Sequence, residues 1–142
     1  MGESFLGLLL DARKARKRGA AAVAQRQRAR LAETVAYARA RSPYYRELYQ
    51  GLPDRIEDST LLPVTDKKAL TARFDDWATD REVTTEKARA FVDNPDLIGE
   101  QFLGKYLVAT TSGTTGTRGI FVMDERSLAV TQALALRMLS AW

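Results

Sequence analysis

Apolar residues at Phe5, Leu8, Leu9 and Ala12 recur at helical spacing and lead into the run Arg13-Lys14-Ala15-Arg16-Lys17-Arg18, which predicts a short amphipathic helix with a cationic end. From Ala20 to Arg41 the chain is rich in Ala, Arg, Gln and Leu, all good helix formers, with Val23, Leu31, Val35 and Ala38 on one narrow face. Such a helix needs a partner surface to be stable. A new helix is marked by Ser42 as cap, Pro43 at its first position and Gly51 as its end, with Tyr45, Leu48 and Tyr49 as its buried side.

Pro53 and Pro63 bracket Asp54 to Leu62, a stretch with three acids and little periodicity that reads as a linker. Thr65 is the next expected N-cap, with Leu70, Phe74 and Trp77 at i, i+4 and i+7 forming the core-facing stripe of one helix. Another helix starts at Thr84 or Thr85, buries Ala88, Phe91 and Val92, and stops at Asn94-Pro95. After a loop from Asp96 to Gly104 the pattern changes. Tyr106 to Ala109 and Ile120 to Met123 are short runs of β-formers around a Gly/Ser/Thr-rich segment, which predicts strand, loop, strand. Asp124 or Ser127 opens a last helix containing Leu128, Leu134, Leu136, Met138 and Leu139.

The predicted class is α/β, taking an α+β form over this length: N-terminal helices, then strand, loop, strand and helix. The last helix meets no stop signal before Trp142, and an isolated strand pair is a poor sheet. Both features predict truncation of a larger domain with further strands. The expected organisation is a basic helical segment over residues 1–41 and the beginning of that domain over 42–142.

Composition narrows the chemistry. With 142 residues and no His or Cys, the chain cannot supply a Ser-His-Asp or Cys-His pair, the usual zinc ligands or a disulfide. Chemistry is left to hydroxyls, carboxylates, Lys/Arg and backbone amides. The absence of cysteine and of a positive-then-apolar leader reads as cytoplasmic. The apolar run Phe5 to Leu10 is far shorter than the roughly 20 residues that span a bilayer. Met1-Gly2 opens like a myristoylation signal, but Leu6 stands where Ser or Thr is required. Residues 1–46 hold 11 Lys/Arg and 3 Asp/Glu, whereas 47–142 hold 11 and 15, so the +4 total conceals a basic first third.

Anion-binding groups are concentrated in Thr110-Thr111-Ser112-Gly113-Thr114-Thr115-Gly116-Thr117-Arg118-Gly119. Glycines allow successive N–H groups to converge into an anion-holding nest, hydroxyls donate further bonds, and Arg118 adds a planar cationic fork suited to phosphate. Other phosphate motifs fit poorly, since Gly116 is followed by Thr117-Arg118 rather than the Lys-Ser/Thr of a Walker A loop, and Gly-x-Gly-x-x-Gly is absent. Composition alone leaves a solvated Ser/Thr/Gly connector open as the alternative.

The segment Thr111-Ser112-Gly113-Thr114-Thr115-Gly116 resembles the phosphate-binding signature of the adenylate-forming superfamily, which includes acyl-CoA synthetases, peptide-synthetase adenylation domains and luciferases. Ser42-Pro43-Tyr44-Tyr45-Arg46-Glu47-Leu48-Tyr49 resembles the SPFYRxxY helix of phenylacetate–CoA ligase-like proteins, and Leu62-Pro63-Val64-Thr65-Asp66-Lys67-Lys68-Ala69-Leu70 the LPxTxKxxL segment that follows it. The likeness covers about Arg41 to Ser140. Where the superfamily loop continues with Pro and often Lys, this chain has Thr117-Arg118-Gly119.

The resemblance implies the N-terminal part of an AMP-forming acid–thiol ligase. A carboxylate attacks the α-phosphate of MgATP to give an acyl-adenylate and pyrophosphate, and the thiol of coenzyme A then displaces AMP. It implies that Ser112, Thr114 and Thr115 offer hydroxyls and Gly113 and Gly116 offer amides to the ATP phosphates, with Thr111 and Arg118 completing the site. It assigns no catalytic residue and no metal ligand to this chain. Cofactors and partners are then ATP, Mg2+, coenzyme A and a small carboxylic acid, with the rest of the enzyme expected beyond Trp142 and no adenylation by the isolated chain.

Alternatives remain: a non-catalytic anion-binding or interaction module, or a basic nucleic-acid or membrane-surface protein. For the basic helix the bland reading is a solvated face near acids of the second half. No nucleic-acid partner is expected, because no stacking aromatics are interleaved with the arginines. Tyr44, Tyr45, Phe74 and Trp77 read as core rather than as a substrate pocket, and Asp75, Asp76, Asp93 and Asp96 as helix-end and turn residues rather than metal ligands.

Overall fold

Helices form over most of the segments that apolar spacing and caps predict, in a computed structural model that describes residues 5–111 and 119–139. In chain order these are α1 (Phe5–Lys17), α2 (Ala20–Arg41), α3 (Pro43–Leu48), α4 (Lys67–Ala72), α5 (Phe74–Trp77), α6 (Thr85–Asp93) and, after strands β1 (Leu107–Thr110) and β2 (Ile120–Met123), α7 (Glu125–Leu139). The described residues are therefore mixed α and β, with one two-stranded antiparallel sheet. The chain forms two compact units, Gly19–Lys87 and Met1–Arg18 with Ala88–Trp142. The junction of residues 41 and 42 falls inside the first of these.

In the unit Gly19–Lys87, Val35, Tyr49 and Ile56 form the buried centre, with Leu31, Tyr45, Leu48, Leu52 and Leu62 packed around it. The face of α2 differs from the expected stripe. Ala32 and Val35 are buried, whereas Val23, at 37% exposure, lies outside the packed part of the helix. Ser42 caps α3, its Oγ accepting from the Tyr45 N–H at 3.3 Å and donating to the Asp76 carbonyl at 2.9 Å. Gly51 ends the following turn at φ 79°, a conformation that disfavours side chains.

Two arginines satisfy helix-end carbonyls that periodicity does not reveal. Arg39 donates to the carbonyls of Pro53 and Tyr49 at 3.1 and 3.3 Å, closing the turn after α3. Arg46 reaches back to the Ala40 carbonyl at 3.1 Å, at the end of α2. Each side chain thus supplies donors to orphan C-terminal carbonyls and places positive charge at the negative end of a helix dipole.

Three local expectations are corrected. The segment Asp54 to Leu62 is not a linker, because Ile56 is 1% exposed and a 3-10 turn over Ser59–Leu61 is capped by Asp58, whose carboxylate accepts from the Thr60 N–H at 2.9 Å. Thr65 is not the cap of α4. Asp66 takes that role, accepting from the Ala69 N–H at 2.8 Å, while the Thr65 hydroxyl is engaged with Tyr44. The single helix through Leu70, Phe74 and Trp77 is broken at Arg73 (φ −121°, ψ 39°), whose guanidinium is held by Glu47 at 2.8 Å and Asp76 at 3.0 Å. A tertiary anchor outweighs helical continuity there.

Ser42 is fully buried and serves both as a cap and as a partner for a distant carbonyl. Ser42→Ala is expected to destabilise this unit by about 2 kcal/mol, combining loss of a cap with an unsatisfied buried carbonyl. Urea unfolding followed by circular dichroism checks this.

Helix α6 is capped by Thr84, whose Oγ accepts from the Lys87 N–H at 3.3 Å; in the other unit, whose second stretch begins at Ala88, that residue is fully buried. Phe91 and Phe102 pack with ring centroids 5.3 Å apart. A tight turn pairs Phe102 with Tyr106 and delivers the chain into β1. Strand β1 pairs with β2 in the register Leu107↔Met123, Val108↔Val122, Ala109↔Phe121 and Thr110↔Ile120. Asp124 then caps α7, accepting from the Ser127 N–H at 2.7 Å. Helix α7 packs on β2 and on α1, so the strand pair has the covering helix that an isolated hairpin lacks.

Candidate functional site

The site is built on the β1–β2 hairpin. Antiparallel pairing ends at Thr110↔Ile120, and one further pair of hydrogen bonds closes the neck of the loop. The Thr111 N–H donates to the Gly119 carbonyl at 3.0 Å, and the Gly119 N–H donates to Thr111 Oγ1 at 3.1 Å. In the second bond the threonine hydroxyl takes the place of a backbone carbonyl. Its oxygen is an acceptor at the neck.

Gly119 is buried and Thr111 exposed, so the neck has one protected and one open side. Between them lie seven residues, Ser112 to Arg118, a longer connection than the roughly 2–5 residues usual in hairpins. Of the expected phosphate-binding residues, Thr111 stands at the neck. Ser112, Gly113, Thr114, Thr115, Gly116 and Arg118 lie outside the described residues. Gly119 was missing from the expected site. Its signal was its place as the last glycine before an apolar strand, where a small residue admits a close approach of the opposite strand.

The pairing register sorts the strand side chains. Leu107 and Phe121, 44% and 39% exposed, share one apolar face with Ala109 and Met123, and Val108, Thr110, Ile120 and Val122 share the other. Strands apolar on both faces belong to sheets covered on both sides. On α7, Leu134, Leu136, Met138 and Leu139 are also exposed.

The two segments at 42–49 and 62–70 meet. The Tyr44 hydroxyl and Thr65 Oγ1 are 2.6 Å apart, and Arg73 lies over the Tyr44 ring at 5.2 Å while pairing with Glu47. The aromatics of this region are packing residues: Tyr44 and Phe74 are buried, Tyr44 meets Tyr45 edge-on at 5.5 Å, and Phe74 meets Trp77 at 5.9 Å. Asp75 is a connector, its carboxylate accepting from the Thr85 hydroxyl at 2.6 Å and the Thr85 N–H at 2.7 Å. Among the described residues no group of three or more His, Cys, Asp or Glu is placed to hold a metal ion, and no helix is long and apolar enough to cross a membrane.

The Thr85 hydroxyl and N–H hold the Asp75 carboxyl below its ordinary value. A carboxyl lowered in the folded state contributes stability above its unfolded pKa of about 3.9, and that contribution is lost as the pH falls through the folded value. The urea midpoint of the native chain is therefore expected to fall more steeply below about pH 4 than that of Asp75→Asn. Parallel curves contradict it.

No family model, curated protein or solved structure matches the chain.

Proposed function

We propose that the chain is the N-terminal portion of an ATP-dependent carboxylate–CoA ligase of the phenylacetate–CoA ligase-like kind, with Thr111 to Arg118 holding the phosphates of ATP. One observation carries the reading: the hydroxyl- and glycine-rich segment spans the turn of an antiparallel hairpin whose neck is pinned by the Thr111–Gly119 pair. A loop tethered this way loses entropy before it meets a ligand, which lowers the cost of ordering it around an anion.

The donor set fits a polyphosphate. Hydroxyls of Ser112, Thr114 and Thr115 and amides of Gly113 and Gly116 are neutral donors that suit phosphate oxygens, and Arg118 adds a charge-assisted fork. None is a nucleophile; their role is to position and neutralise, which is what phosphoryl chemistry requires of a protein. When bound, MgATP supplies the α-phosphate at which the carboxylate is activated before transfer to coenzyme A. The two-sided apolar strand pair supports membership of a larger covered sheet.

With the loop as the only contact, the 142-residue chain is expected to bind ATP at about 1 mM or weaker, which is only about −4 kcal/mol. Calorimetric titration tests this, with inorganic triphosphate competing, adenosine not competing, and Arg118→Ala weakening binding about fivefold. Competition by adenosine, or binding untouched by Arg118→Ala, contradicts the assignment.

A further inference from the structure

Helix α1 has two unlike faces. Its buried residue is Leu8, with Ala12 and Ala15 half-buried on the same side, where the helix packs on α7. The opposite face carries Leu6, Leu10, Arg13 and Lys17 at i, i+4, i+7 and i+11, which places them in one row. Leu6 and Leu10 are 65% and 53% exposed, and both cations are exposed. Lys14, Arg16 and Arg18 add three more exposed cations beside that row. The only acid of the helix, Asp11, is half-buried and off the row.

The bland expectation for this helix places its cations near acids. Among the described residues, none of the side chains of Arg13, Lys14, Arg16, Lys17 and Arg18 makes an ion pair or hydrogen bond. Five positive charges in six residues that have no partner among the described residues, continuous with two exposed leucines, suit a counter-surface that is both anionic and able to accept apolar side chains. Nucleic acid offers only the first property. An acidic protein surface accepts the leucines only where it also carries an apolar groove.

We infer that α1 is a membrane-surface helix: Leu6 and Leu10 enter the headgroup boundary of an anionic bilayer and Arg13, Lys14 and Lys17 contact its phosphates. Spanning is not required, since an interfacial helix lies in the plane of the surface and binds by buried apolar area plus charge. This inference is independent of the ligase reading, because it uses no residue of the β1–β2 loop.

The test is co-sedimentation of the 142-residue chain with vesicles of phosphatidylcholine alone and of phosphatidylcholine with 30% phosphatidylglycerol, at low and high salt. The expected result is binding to the anionic vesicles alone, weakened by salt. Neutralising three cations (Arg13→Gln, Lys14→Gln, Lys17→Gln) is expected to weaken partitioning by about a hundredfold. Leu6→Ser with Leu10→Ser is expected to weaken it by about tenfold or more. Both substitution sets lie on exposed positions, and circular dichroism verifies that helix content is kept. Absence of vesicle binding by the native chain overturns the inference, as does binding that the leucine substitutions leave unchanged, or salt-dependent binding to duplex DNA that equals binding to the vesicles. Self-association without vesicle binding assigns the face to a second copy and also overturns it.

Discussion

Phe102→Ala is expected to destabilise the hairpin-bearing unit by about 3–5 kcal/mol, from lost burial and the cavity left behind. Phe102 is 3% exposed and its ring lies 5.3 Å from that of Phe91. Its N–H donates to the Tyr106 carbonyl at 2.9 Å and its carbonyl accepts from the Tyr106 N–H at 3.0 Å, so the same residue anchors the turn that starts β1. Losing the ring loosens the strand that carries Thr111. Urea unfolding is expected to show the loss, and amide exchange along β1 and β2 to accelerate while Gly19–Lys87 retains its protection. A change below about 1 kcal/mol contradicts the place given to Phe102.

Ile56→Ala is the second large effect, at about 3 kcal/mol in the unit Gly19–Lys87. The side chain is 1% exposed and sits with Val35 and Tyr49 at the centre of that unit. Val64, a residue of the same region that is 96% exposed, is the contrast: Val64→Ala is expected to change stability by no more than about 0.5 kcal/mol. Equal effects at the two positions contradict the packing described.

These two residues also mark where sequence reading stopped. Ile56 is a single apolar residue in a polar stretch and Phe102 stands beside Leu103 in an irregular one, so neither contributes to a period of 3.6 or 2 that would single it out. Three caps were legible because their chemistry is local, whereas the cap of α4, expected at Thr65, falls on Asp66. Ser42-Pro43, Thr84 and Asp124 each place an oxygen within three residues of the amide it serves. The break at Arg73 was not legible, since it is held by Glu47, distant in sequence. The helix-end roles of Arg39 and Arg46 were hidden for a related reason, as a long cationic side chain reads as a solvated one until its carbonyls are known.

For the site, the segment and its place between two strands were legible, and β1 differs from the expected strand by one residue. The neck was not. That Gly119 donates to the hydroxyl of Thr111 rather than to its carbonyl depends on the register of the pair, which a two-residue shift in either strand would alter. The register thus makes Thr111 a part of the hairpin as well as of the expected phosphate site, and it confines the remaining donors to seven residues of loop.

This loop, and not the basic helix, is proposed to receive the phosphates of ATP. Titration of the 15N-labelled 142-residue chain with ATP and with AMP, followed amide by amide, tests it most directly. Saturable shifts are expected at Gly113, Thr114, Thr115 and Gly116 with ATP at about millimolar concentrations, with much smaller shifts with AMP and little change along α1. Shifts confined to Arg13 through Arg18, or a loop unmoved by ATP, would contradict it.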